Sequence, residues 1–159
     1  MGVSSNATAK SRRRPAPRVW LIALCCAALP VAGAAAEPLA LQGIMKDMGR
    51  NMQAIVGSLL REDYAAIELA AMAVANHPQP PFSEKLRVMA FAGSNAPRFK
   101  AFDGETHDNA MALARTAKSG DGEAVIAAYG KLQSSCLACH QTFRKPFAEQ
   151  FYGKADGRR

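Results

Sequence analysis

The sequence predicts an all-α protein, an antiparallel four-helix bundle with short links within each pair of helices and one longer crossover between the second and third. Three observations predict it. Apolar residues recur at steps of three and four, the period of a helix buried along one face. Almost no run alternates apolar and polar residues one by one, as a half-buried strand would. Midway, the stretch HPQPPF at residues 77–82 carries three prolines, which lack the amide hydrogen and clash with the preceding turn, so no helix runs through it. Four amphipathic segments with links of these lengths are what a bundle requires.

The first 36 of the 159 residues differ in composition from the rest. KSRRRPAPR at 10–18 is a basic head, VWLIALCCAALPVA at 19–32 an apolar core, and Ala34-Ala35-Ala36 a run of small residues, together the layout of an export signal cleaved before Glu37. A transmembrane anchor would need roughly 20 apolar residues, and Pro30 and Gly33 interrupt this run. Arg12-Arg13 is a weak match to a twin-arginine signal, and Cys25 and Cys26 lack the flanking triplet of a lipoprotein. The expected domains are therefore a signal at 1–36 and one helical domain at 37–159, in the periplasm and with no membrane span.

The first helix is expected over about 39–60, with Leu41, Met45, Met48, Met52, Ile55 and Leu59 along one face. The second, about 63–76, carries Ile67, Ala70, Ala71 and Val74 and stops before Pro78. An irregular crossover follows, with a short helical turn from Ser83 and a second break at SNAPRFKAFDG. The third helix, about 104–118, is expected to have Asp103 as its N-cap and Ala110, Leu113, Ala114 and Ala117 inward. Gly120 ends it and Asp121 caps the fourth, which carries Val125, Ile126, Tyr129, Leu132, Cys136, Cys139, His140 and Phe143 until Pro146 disturbs it.

The chemistry lies in that fourth helix. CLACH at 136–140 is a C-x-x-C-H string, the attachment motif of c-type haem. Two thiols three residues apart share a helix face, so both can add to the vinyl groups on one porphyrin edge, and the neighbouring imidazole of His140 can bind the iron. A thiol-disulfide enzyme would instead place the motif at the start of a helix, where the thiol pKa is lowered. A zinc site would have to recruit His77 and His107, at spacings that match no common module.

Only 19 residues follow His140, so a sixth ligand has to come from upstream. With the late CLACH motif, the four-helix pattern and Arg144 four residues after the histidine, residues 37–159 resemble the class II c-type cytochromes, the cytochrome c′ family. That resemblance implies one covalent haem c between the first and fourth helices, with Arg144 beside it on the proximal side. The segment IMKDMGRNM at 44–52 is similar to the low-spin branch, whose ligand maps to Met45. A thioether opposite histidine suits an electron carrier. The high-spin branch, five-coordinate and binding NO or CO, is the alternative, and Met45, Met48 and Met52 as simple core residues is another. Leu41 could lie over the ring. Phe82, Phe99 and Phe102 are candidate ring neighbours, and His77 and His107 are expected to be ordinary polar histidines rather than iron ligands.

Loss of the signal removes Lys10, Arg12, Arg13, Arg14 and Arg18 and lowers the formal charge from +7 to +2. Such a small excess does not point to nucleic acid. No catalytic grouping stands out, so the expectation is an electron-transfer protein, not an enzyme, whose partners are a redox donor and acceptor. A homodimer through the first two helices is common among the proteins it resembles.

Overall fold

The structure, a computed structural model, describes residues 1–2 and 39–153. The chain divides into two units, Met1–Gly33 and Ala34–Arg159, and the helices below belong to the second. The expected signal peptide, apart from its first two residues, lies outside the described residues.

Six α-helices occur among the described residues: α1 (Ala40–Leu59), α2 (Tyr64–Ala75), α3 (Phe82–Ala92), α4 (Ala96–Ala117), α5 (Gly122–Cys139) and α6 (Lys145–Tyr152). A 3₁₀ turn at Gly93–Asn95 joins α3 to α4, and a π-helical turn at His140–Arg144 carries α5 into α6. No strand occurs among the described residues. The bundle is built from α1, α2, α4 and α5, which are the four helices expected from periodicity.

Its caps follow from local chemistry. The Asp63 carboxylate accepts from the Ala66 amide and that of Asp121 from the Ala124 amide, each at 3.0 Å, satisfying amides that the first turn leaves free. Gly120 ends the run after α4 at φ +68°, a conformation that glycine adopts without a Cβ penalty. Helix α1 has no such cap of its own. The amides of Ala40 and Leu41 donate instead to the two oxygens of Glu84, at 2.8 and 2.7 Å, so that α3 closes the start of α1 from 44 and 43 residues away.

The crossover corrects two expectations. Where a short turn was expected at Ser83, an 11-residue helix runs from Phe82, and α4 starts at Ala96 rather than near Gly104. The reason is the place of Pro97, in the first turn of α4, where the missing amide hydrogen costs no intrahelical bond. Asp103 is therefore mid-helix, not an N-cap. Pro146 likewise sits in the first turn of α6, and the disturbance expected there takes the form of the wider π turn just before it. A proline ring crowds the carbonyl four residues back, and a π turn is one way to spread the ladder at that point.

Helix α1 packs on α2, α2 on α4 and α4 on α5. Ile55, Ile67, Ala71, Val74, Ala110, Leu113, Ala114, Ala117, Val125 and Leu132 form the core between them. The alanines let α2 and α4 approach closely, while Leu113 and Leu132, both fully buried, fill the wider places. The inward stripes of the second and third expected helices hold. Ile126, placed inward by periodicity, is half exposed, and α1 turns Ile44 and Ser58 to the core together with Ile55. Helices α1 and α5 are not in extensive contact. A cleft lies between them.

Candidate functional site

The cleft is partly open to solvent and has a volume of about 280 Å³, at the lower edge of the range of cofactor sites, roughly 300–1,000 Å³. One wall is α1, with Met45, Met48, Gly49 and Met52. Facing it, α5 presents Tyr129, Gln133, Cys136 and Cys139, with His140 at its end. Helix α4 contributes Phe99, Phe102, Asp103 and Thr106, and α2 contributes Val74. The lining is mostly apolar. At Gly49 an added Cβ would meet nothing within 4 Å, so the glycine leaves this wall flat where a side chain would stand in the cleft.

The structure thus brings together Met45, Cys136, Cys139 and His140, four of the five site residues expected from the sequence. Arg144 does not line the cleft. It lies one turn beyond His140 on the π turn, exposed, and close enough for its charge to act on the imidazole. Burial lowers the His140 pKa from its ordinary value and the Arg144 guanidinium lowers it further, so the neutral ring, the form with a lone pair for a metal, persists to lower pH.

Both thiols are free and half-buried. Burial is the main cause that pushes the pKa of Cys136 up, partly offset by hydrogen bonds from its own backbone and Ser135. Burial also raises that of Cys139, and the charges of Asp103 and Cys136 add to it. A thiol-disulfide enzyme depends on the opposite shift. The zinc alternative fares no better, since no group of three His, Cys, Asp or Glu that could hold a metal ion occurs among the described residues.

Behind the thiols lies a small polar relay in the apolar core. The Thr106 hydroxyl donates to Ser135 Oγ at 3.3 Å, and the Ser135 hydroxyl donates to the Leu132 carbonyl at 2.8 Å. Both side chains are buried and satisfied, which fixes the helix face that carries Cys136. Phe143 of the π turn packs edge-on against Phe99 and Phe102, with ring centroids 5.2 and 6.2 Å away, closing the α4 side of the cleft.

Of the ring neighbours named from sequence, Phe99 and Phe102 line the cleft, whereas Phe82 is 76% exposed on α3 and outside it. Leu41 is half-buried and not part of the lining. The histidines have other partners: His107 Nδ1 is 3.0 Å from the Ala75 carbonyl at the end of α2, and His77 lies between the Pro78 carbonyl, 3.0 Å from Nδ1, and Asp103, 3.4 Å from Nε2. Neither lines the cleft.

Sequence reasoning missed Gly49, Thr106 and Gln133 and misassigned Asp103. Gln133 lies four residues after Tyr129 and three before Cys136, so register along α5 could have found it. Phe99, Phe102, Asp103 and Thr106 also step by three and four. Starting the third helix near Gly104, after a break at SNAPRFKAFDG, hid that stripe.

The donor set and the cleft fit a haem: two thiols and an imidazole on one wall, thioethers on the other, and a flat apolar slot between them. A family model, that of cytochrome c′, matches residues 40–144, which take in both walls of the cleft, the CLACH string and Arg144. No curated protein and no solved structure gives a significant match to the chain.

Proposed function

The chain belongs to the cytochrome c′ family of haem-binding c-type cytochromes, and from that premise we propose that it is a periplasmic mono-haem electron carrier with histidine and methionine as axial ligands. The observation that carries this reading is the convergence of Met45, Cys136, Cys139 and His140 on one cleft.

In this reading Cys136 and Cys139 hold haem c through two thioether bonds, and His140 is the proximal ligand. When bound, the haem supplies a one-electron ferric–ferrous couple. Phe99, Phe102 and Val74 keep water from one side of the slot. Arg144 helps keep the His140 ring neutral and available to the metal. No residue is asked to make or break a substrate bond, in keeping with a protein that is not an enzyme.

Met45 is the distal ligand in preference to its neighbours for a packing reason. Met48 and Met52 rest against the hydrophobic core, and Met45 is not part of that contact. Its side chain is 42% exposed where α1 faces the cleft, so the thioether can turn inward without opening the core. The basic residues removed with the signal leave a nearly balanced surface, suited to transient contact with a redox donor and acceptor rather than to nucleic acid.

Optical spectra of the oxidised, reduced and CO-treated protein test the proposal. Low-spin spectra in both oxidation states, with no change on adding CO, are expected. A five-coordinate, high-spin ferrous form that takes up CO at once would replace the electron carrier with a gas-binding member of the same family.

A further inference from the structure

Among the described residues that line the cleft, Asp103 alone bears a carboxylate, and none is lysine or arginine. A negative charge facing an apolar slot is not explained by helix stability. Aspartate is a poor helix former, and this one sits inside α4, next to Gly104, where it has no first-turn amides to cap. Its one close partner is His77 from the crossover after α2, whose Nε2 lies 3.4 Å from Oδ1. The His77 side chain is only 13% exposed, and its other nitrogen, 3.0 Å from the Pro78 carbonyl, must carry the hydrogen that this acceptor takes. The Pro78 contact holds the ring in place beside the carboxylate.

We propose that Asp103 tunes the reduction potential of the redox centre in this cleft, its carboxylate favouring the oxidised state; this rests on the haem-binding electron-carrier reading above. The physical argument is Coulombic. Oxidation adds one positive charge to the centre, and a fixed negative charge at the cleft wall lowers the free energy of the more positive state. Asp103 lines the same cleft as Cys136, Cys139 and His140. The Asp103 side chain is half exposed, so water weakens the effect without changing its sign. Asp103 is a tuning residue, with no bond to the centre and no part in holding it.

The test is potentiometric titration of the exported, haem-loaded protein and three variants. Asp103→Asn keeps the shape and removes the charge. It is expected to raise the midpoint potential, so that the reduced-to-oxidised ratio at the wild-type midpoint increases severalfold while the optical spectrum stays the same. Asp103→Glu retains the charge and is expected to stay near the wild type. Asp108→Asn removes a carboxylate from the same helix away from the cleft and is expected to move the midpoint much less. An unchanged or lowered midpoint in Asp103→Asn, or an equal rise in Asp108→Asn, overturns the assignment and leaves the haem reading intact. A wild-type protein exported without haem overturns both.

Discussion

Three methionines share the α1 wall of the cleft, and spacing alone does not choose among them. Packing is the ground on which we propose Met45, since Met48 and Met52 are tied to the core and Met45 is not. Substituting Met45 by alanine is therefore expected to open the sixth position: the reduced protein turns high-spin and binds CO. Met52→Ala is expected to keep the low-spin spectrum, because that side chain serves the core. Identical spectra for Met45→Ala and the wild type would assign Met45 to pocket lining. The same scale explains what residue types revealed in advance. Cysteine and histidine at the spacing of CLACH point to haem chemistry by themselves, while Met45 was singled out only by resemblance; the structure brings all four residues to one cleft. Gly49 and Thr106 were not legible, since a flat wall and a buried hydroxyl relay have meaning only once their neighbours are known.

At the scale of elements, periodicity found the bundle and proline misled. Helices α1, α2 and α5 begin within a residue or two of where apolar spacing puts them, because a helix that buries one face must repeat that face. SNAPRFKAFDG was expected to be a break, yet its Pro97 sits in the first turn of a helix, where proline is a start signal. The expected crossover shortened α3 to a helical turn from Ser83 and left the first two turns of α4 as a break. Glu84 was also beyond the reach of local reading. It is nearly buried, and its two oxygens accept from the first amides of α1 across the fold. Tyr152 of α6 lies beside it: burial, then the charge of Glu84, pushes the tyrosine pKa up. Glu84→Ala would leave two helix-start amides without a partner, a loss of about 1–3 kcal/mol. Denaturant unfolding of that variant should show a lower midpoint with little change in slope. A midpoint equal to the wild type would mean that water replaces the carboxylate and that α3 does not anchor α1.

Taken as a whole, the molecule separates two tasks. The contacts from α1 to α2, α2 to α4 and α4 to α5 form a continuous core, while α1 and α5 stand apart and leave the slot that carries the chemistry. Small alanines let α2 and α4 pack closely, and methionines, aromatic rings and cysteines face the slot. No described helix is long and apolar enough to cross a membrane. The chemical proposal for that slot is one haem held there by covalent bonds from a single turn of α5. Mass spectrometry of the exported chain, followed by its peptides, measures this most directly. The account predicts the mass of one haem on the intact chain, retained under denaturing conditions and found on the peptide that contains Cys136 and Cys139. A chain whose mass matches the polypeptide alone, with both cysteines free to alkylate or joined to each other, would contradict it.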